Sequence, residues 1–208
     1  MAYLALVRHG ESVWNAKGLW TGWTDVGLSD VGREQARSAA RILTDIKFDI
    51  CFTSALKRAK QTWDEIREVN NLTETLTKSF KALNERDYGD LTGKNKWKIK
   101  EEYGEEQFQK WRRSWDNPPP NGESLKDVYA RVMPCYKQKI LPELEQGKNV
   151  IIVAHGNSLR ALVKYLENIS DEEIAKLELK LGEPYVYQID KTGIILSKEI
   201  RSIVSGVA

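Results

Sequence analysis

Asn149-Val150-Ile151-Ile152-Val153-Ala154-His155-Gly156-Asn157-Ser158 runs a stretch of apolar, mostly β-branched residues straight into a histidine, a glycine and a helix start. A run that is apolar on both faces reads as a parallel strand inside a sheet. The same succession occurs near the N-terminus, where Tyr3-Leu4-Ala5-Leu6-Val7 leads into Arg8-His9-Gly10-Glu11-Ser12. His9 and His155 are the only 2 histidines of the chain. In open α/β sheets ligands collect beyond the carboxyl ends of the strands, so both imidazoles are expected in one crevice. A glycine after each lets the backbone turn sharply. Free N–H groups at the helix starts that follow favour an anion there.

Working outward, Asp49 to Thr53 reads as another buried strand. Tyr185 to Ile189 and Ile194 to Leu196 form a late strand pair around the turn Asp190-Lys191-Thr192-Gly193. Helical patterns lie between. Ser29 caps one that runs to about Asp45, with Ala36, Ala39, Ala40 and Leu43 facing inward. Ala55 to Val69 is a second. Ser124 and Asp127 form a capping box for a third that heads toward Leu144, with Pro134 expected to interrupt or kink it. Ser158 to Glu167 is a fourth, and Ser170 opens a short fifth. Strands alternating with helices predict an α/β fold, a three-layer, mostly parallel sheet covered by helices on both faces.

The 208 residues suit a single domain, 1–208, with no repeat or linker to divide it. Residues 84–123, rich in Lys, Arg, Glu, Trp and Gly and ending in Pro118-Pro119-Pro120-Asn121-Gly122, read as an insertion over the active site. The hydrophobic content of 41% and charged content of 30% are ordinary for a globular protein. No apolar stretch is long enough to span a bilayer, and Met1 to Leu4 lacks a signal-peptide pattern. Cys51 and Cys135, both in apolar surroundings, point to reduced thiols and a cytoplasmic setting. The net charge of +2 comes from bases scattered among acids, with no basic stripe for nucleic acid.

Paired histidines raise two chemistries, a metal site or phosphoryl transfer. No Cys, His or carboxylate spacing matches a known ligand set. A neutral imidazole whose one nitrogen donates to a carbonyl is nucleophilic at the other, and can hold a phosphoryl group covalently. Phosphoryl transfer then asks mainly for cations around the oxygens. Arg8 adjoins His9, and Arg58 follows the strand end at Thr53-Ser54.

Arg8-His9-Gly10-Glu11-Ser12 resembles the signature of the histidine phosphatase superfamily. The likeness extends through Trp14-Asn15, Thr21-Gly22-Trp23, Thr53 to Ala59, Leu83 to Arg86, Tyr88-Gly89, Asn95-Lys96, Trp111-Arg112-Arg113, Gly122 to Leu125 and Ala154 to Arg160. Together these look like its bisphosphoglycerate-dependent phosphoglycerate mutase branch, in the short form. That resemblance covers nearly the whole chain. It implies interconversion of 3-phosphoglycerate and 2-phosphoglycerate in glycolysis and gluconeogenesis, primed by 2,3-bisphosphoglycerate, with no metal, nucleic acid or membrane involved. His9 would carry the phosphoryl group, with His155, Arg8 and Arg58 around it and Glu85 as general acid and base. Gly10, Glu11, Ser12, Asn15, Thr21, Gly22, Arg86, Tyr88, Lys96, Arg112, Arg113, Gly156 and Asn157 would complete the substrate site.

Two departures stand out. Asp87 occupies a position where His or Tyr is expected, and should face solvent or pair with a base. The stretch from Pro118 to Gly122 runs straight into Glu123-Ser124, so an insert of longer members is missing, which leaves the oligomeric state, monomer or homo-oligomer, open. In relatives a tail like Ser202 to Ala208 covers the site. A phosphomonoesterase of the same superfamily would share His9, Arg8, Arg58 and His155. A module that only binds phosphorylated partners would be expected to lack one of them.

Overall fold

The structure, a computed structural model, describes residues 1–202. Six strands form one sheet in the order β3-β2-β4-β1-β5-β6. Here β1 is Ala2–Arg8, β2 Ile50–Ser54, β3 Leu76–Phe80, β4 Val150–Ala154, β5 Tyr185–Ile189 and β6 Ile195–Ile200. The pairs β1–β4, β2–β4 and β2–β3 are parallel, while β1–β5 and β5–β6 are antiparallel. The late strands thus pair as expected, and β6 runs on to Ile200. The edge strand β3 lacks any apolar run, and its half-exposed residues explain why pattern alone does not find it.

Alternation along the strands splits the core into two layers. Leu4, Leu6, Ile50, Phe52, Val150 and Ile152 pack on one face against α5 (Leu125–Cys135) and α7 (Gly156–Leu166). Ala5, Val7, Cys51, Ile151 and Val153 pack on the other against α2 (Asp30–Ile42) and α3 (Lys57–Val69). Each fully buried aliphatic side chain contributes about 1.5–3 kcal/mol, so the central β4 is a large part of what holds the layers together. Both cysteines are free and buried. No helix among the described residues is long and apolar enough to cross a membrane.

This topology creates the crevice. Strands β1 and β4 are neighbours, yet the chain leaves β1 toward the face of α2 and leaves β4 toward the face of α7. Where adjacent strands send their connections to opposite faces, a cleft opens at their carboxyl ends. Gly10 and Gly32 make the first exit possible. A Cβ on Gly10 would lie 2.1 Å from the Gly32 carbonyl oxygen, so α2 can begin there only against bare backbone.

The capping predictions at Ser29 and Ser124 hold, each hydroxyl accepting a first-turn N–H. Pro134 does not break its helix. α5 continues to Cys135, then widens into a π turn at Tyr136–Ile140 before α6 (Leu141–Glu145). The wide turn runs directly into Pro142, which has no N–H to continue the α-helical ladder. The helix expected from Ser170 is only a 3-10 turn, Glu173–Lys176.

Residues 84–123 carry a 3-10 turn, Gly89–Leu91, and the helix α4, Lys96–Arg113. Gly104 interrupts α4 with φ 79° and ψ 163°. A straight helix of 18 residues would span about 27 Å. The break instead folds α4 back, so that Lys96 at its start and Arg112 and Arg113 at its end line the same cavity. Ile99, Phe108 and Trp111 from its two halves enclose a small apolar cluster with Trp20 and Leu91, separate from the two main layers. The tail expected to cover the site lies outside the described residues beyond Ser202.

Candidate active site

His9 and His155 meet at the carboxyl ends of β1 and β4, their ring centroids 4.8 Å apart. Arg8 pairs with Ala154 in the sheet register, and the His9 N–H donates to the Ala154 carbonyl at 2.9 Å. His9 Nδ1 donates to its neighbour's carbonyl, Gly10 O, at 2.6 Å, which leaves Nε2 as the atom with a lone pair. Burial, then the guanidiniums of Arg58 and Arg8, hold His9 well below the usual imidazole value, against the opposing bond to Gly10. The ring is therefore neutral at pH 7 and available as a nucleophile.

His155 is neutral for the same reasons, burial first, then Arg58, His9, Arg131 and Arg8. A protonated His155 adding one more positive charge is thus not what the site provides. Its Nε2 lies 2.7 Å from Ser54 Oγ, and its Nδ1 has no hydrogen-bond partner among the described residues.

The cavity at this crevice is lined by Arg8, His9, Asn15, Thr21, Arg58, Glu85, Tyr88, Lys96, Arg112, Arg113, Gly156 and Asn157, all expected from the sequence. Arg160 joins them, bringing six cationic side chains against two carboxylates, Glu85 and Glu178. Buried polar atoms without partners among the described residues cluster on the same lining: Arg8 Nε, Trp20 Nε1, Thr21 Oγ1 and Arg58 Nε. Unpaired buried donors are costly unless a ligand meets them, and an oxyanion suits these. Arg58 is fixed meanwhile by two backbone carbonyls, Gly22 at 2.8 Å and Thr24 at 3.0 Å.

Glu85 is held from both ends. Its carbonyl accepts from Trp23 Nε1 at 2.6 Å and from Arg131 Nη2 at 2.9 Å. Its Oε1 accepts from the Arg86 N–H and from the N–H and side-chain amide of Asn157, at 2.7, 3.2 and 3.0 Å. Oε2 accepts nothing from the described residues, so one oxygen anchors the group and the other is free to take or give a proton.

Six expected site residues stand outside the lining, and His155, fully buried with its ring 4.8 Å from that of His9, is one of them. Arg86 is fully buried, stacks on Tyr88 and donates to the carbonyls of Trp111 and Arg112, so it secures the end of α4 instead of facing the cavity. Ser12 caps α1 (Val13–Ala16) and bonds the Asn15 amide oxygen. Glu11 accepts from Ser29 Oγ. Gly22 lends its carbonyl to Arg58, and Gly10 makes the close approach described above. Asp87 neither faces the cavity nor pairs with a base; its Oδ1 accepts the Gly89 N–H in a local turn.

Trp20, Arg160, Glu178 and Leu179 line the cavity without having been anticipated. Arg160 carries a signal in hindsight, a charged residue amid the uninterrupted buried run from Asn157 to Val163. It donates to Asn157 Oδ1 and to the carbonyls of Arg113 and Ile174, tying Glu85's partner to the end of α4. Burial, then Arg86 and Arg113, lower it to about 10, which leaves it charged.

Burial, then Arg112 and Arg8, push Lys96 down to about 8, with Glu85 opposing. The free site thus loses this cation as pH rises through 8. The KM for a phosphorylated acid is expected to climb above that pH, and Lys96→Arg to move the climb well to the alkaline side. A KM profile from pH 7 to 9.5 that is flat, or identical in the variant, would exclude Lys96 from anion binding.

The family model of the histidine phosphatase superfamily (branch 1) matches residues 4–199. This chain belongs to the histidine phosphatase superfamily. It is 52% identical over 199 residues to a 2,3-bisphosphoglycerate-dependent phosphoglycerate mutase of Chelativorans sp., covering 95% of this chain and 97% of that one. A protein of the same name from Rhizobium meliloti is 48% identical over 205 residues, covering 98% and 97%. Among solved structures, a mycobacterial glucosyl-3-phosphoglycerate phosphatase in complex with VO3 superposes with a TM-score of 0.82 at 25% identity, covering 97% of this chain and 98% of that one. The alpha-ribazole phosphatase of Shigella flexneri gives 0.80 at 27% identity, covering 99% of each. Among the described residues no group of three or more His, Cys, Asp or Glu is placed to hold a metal ion.

Proposed function

We propose that this chain interconverts 3-phosphoglycerate and 2-phosphoglycerate in the cytoplasm through a phosphohistidine on His9, primed by 2,3-bisphosphoglycerate. The observation that carries it is the double origin of the cations. Arg8 ends β1 and Arg58 lies in the first turn of α3, both close to His9, while Lys96, Arg112 and Arg113 come from the two ends of α4. A ligand with an anion at each end fits such a cavity, and guanidinium forks suit carboxylate and phosphate.

His9 Nε2 bonds to a phosphorus of the bisphosphate as its P–O bond breaks, and a proton carried on Glu85 Oε2 passes to the leaving oxygen, so that a monophosphoglycerate departs. With Ser54 donating to Nε2 of His155, that neutral ring keeps its proton on Nδ1 and offers it to a phosphoryl oxygen. Glu85 Oε2 then accepts the proton of the 2-hydroxyl of 3-phosphoglycerate as that oxygen attacks phosphorus. The P–N bond breaks, its electrons return to Nε2, and 2,3-bisphosphoglycerate forms. After the intermediate turns, its 3-phosphoryl passes to His9, Glu85 returns the proton to the leaving oxygen, and 2-phosphoglycerate departs. The protein supplies position and charge, which is most of what phosphoryl transfer requires.

The solved neighbours keep a second reading in view, a phosphomonoesterase that lets water attack the phosphohistidine. A mutase must retain the intermediate, whereas a phosphatase need not. Arg113→Ala should therefore depress mutase turnover far more than His9 phosphorylation, and raise inorganic phosphate as a share of all products. Because the Arg113 side chain keeps 22% exposure, the loss should fall at the low end of the ~2–5 kcal/mol seen when a buried charge pair is broken. Quantifying 2-phosphoglycerate and inorganic phosphate together settles the choice. A wild type that yields chiefly inorganic phosphate, with the same ratio in the variant, is a phosphatase.

A further inference from the structure

Arg113 already grips a carboxylate of this chain. Its Nη2 lies 3.0 Å from Oε1 of Glu178, on the loop between the Glu173–Lys176 turn and β5. Glu178 lines the same cavity, and its side chain is 51% exposed, so it sits at the mouth. The next residue, Leu179, accepts Arg8 Nη1 on its carbonyl at 2.8 Å. Two guanidiniums that the proposed reaction assigns to the ligand are thus engaged by successive residues of one loop. Burial opposes the charged form of Glu178, but the hydrogen bond from Arg113 and the charges of Arg113, Arg112 and Arg8 hold it below the ordinary carboxylate range. It is ionised wherever the enzyme would work.

We propose that Glu178 is a place-holding carboxylate that exchanges with the ligand's own anionic group on Arg113 and takes the guanidinium back while the bisphosphorylated intermediate turns. The proposal rests on the mutase reading, since only a mutase must let go of both ends of its intermediate without losing it. The chemistry of the exchange is matched, one carboxylate for another anion on the same fork. The mobile partner is the right one as well. Glu178 can swing into water, whereas Arg113 is the more covered of the two and its carbonyl is held by Arg160. No other hydrogen bond restrains the Glu178 carboxylate among the described residues. Arg113 shares the cavity with Arg8, Arg58, Lys96, Arg112 and Arg160. Left unpaired there it would be repelled by like charges with little solvent to screen them. An internal anion makes release nearly balanced, so the intermediate is neither lost nor trapped.

Glu178→Gln keeps the shape and removes the charge. In steady-state conversion of 3-phosphoglycerate at constant ionic strength, KM should fall by about three- to fivefold, the worth of a partly exposed ion pair. The kcat should fall by a similar factor, because the intermediate turns more reluctantly. Glu178→Ala should act in the same direction, and in an Arg113→Ala background neither change should have an effect. If Glu178 merely steadied Arg113, its loss would raise KM. A raised KM, an unmoved pair of constants, or an effect that survives without Arg113 overturns the proposal. A wild type that releases only inorganic phosphate from 3-phosphoglycerate would sink the mutase reading instead, and the same assay reads that before any variant is made.

Discussion

His9→Ala is expected to abolish phosphoenzyme formation and to lower turnover by about 10⁵-fold or more, the scale on which a covalent nucleophile is lost in other enzymes. No other imidazole can take its place. His155 stands 4.8 Å away, but its Nε2 is engaged with Ser54 Oγ. The cations of the cavity would still bind substrate, so KM should change far less than kcat. Incubation with phosphoryl-labelled 2,3-bisphosphoglycerate, followed by acid and base treatment, provides the check. The wild type should carry an acid-labile, base-stable label that the variant lacks. A variant that is both labelled and active would move the nucleophile elsewhere.

Glu85→Gln is expected to cost ~10²–10⁴-fold in turnover, the usual contribution of general acid–base catalysis. The amide can still accept from the Arg86 N–H and the Asn157 donors through its oxygen, so the local structure should survive. What it cannot do is move a proton at the position of Oε2. Labelling of His9 from the bisphosphate should persist at a reduced rate, and the pH dependence of kcat should lose a limb. Near-normal turnover with an unaltered pH profile would leave Glu85 as a buttress for α7 and nothing more.

The sheet's centre and both histidines were legible in the sequence because their signals are local. Val150 to Ala154 is apolar at every position, as a strand covered on both faces must be, and each histidine follows such a run directly. The edge was not legible. Leu76-Thr77-Lys78-Ser79-Phe80 pairs along only one side, exposes Leu76, and so carries no pattern. The cavity lining divides in the same way. Residues adjoining strand ends or family motifs were found, but Glu178 and Leu179 arrive through a loop whose course depends on where β5 docks. Arg86 illustrates a different limit of sequence adjacency. It sits beside Glu85 in a motif, yet its guanidinium turns inward to the carbonyls of α4, and adjacency in sequence does not reveal which way a buried side chain points.

The break at Gly104 separates two tasks that one domain has to combine. The two histidines follow β1 and β4, whose side chains are buried in both layers of the core. The far anion is met by a folded-back helix with its own apolar cluster and an apex where a Cβ would touch nothing. The arm's end is tied to α7 through Arg160 and to the Glu85 segment through Arg86, but the space at its Gly104 apex is open, so changes there need not disturb the sheet. Substrate range can therefore drift while the reaction stays fixed. Solved relatives at 25–27% identity bear names as different as glucosyl-3-phosphoglycerate phosphatase and alpha-ribazole phosphatase over a common frame. For this chain the arm, rather than the histidines, is the part to exchange when a new substrate is wanted.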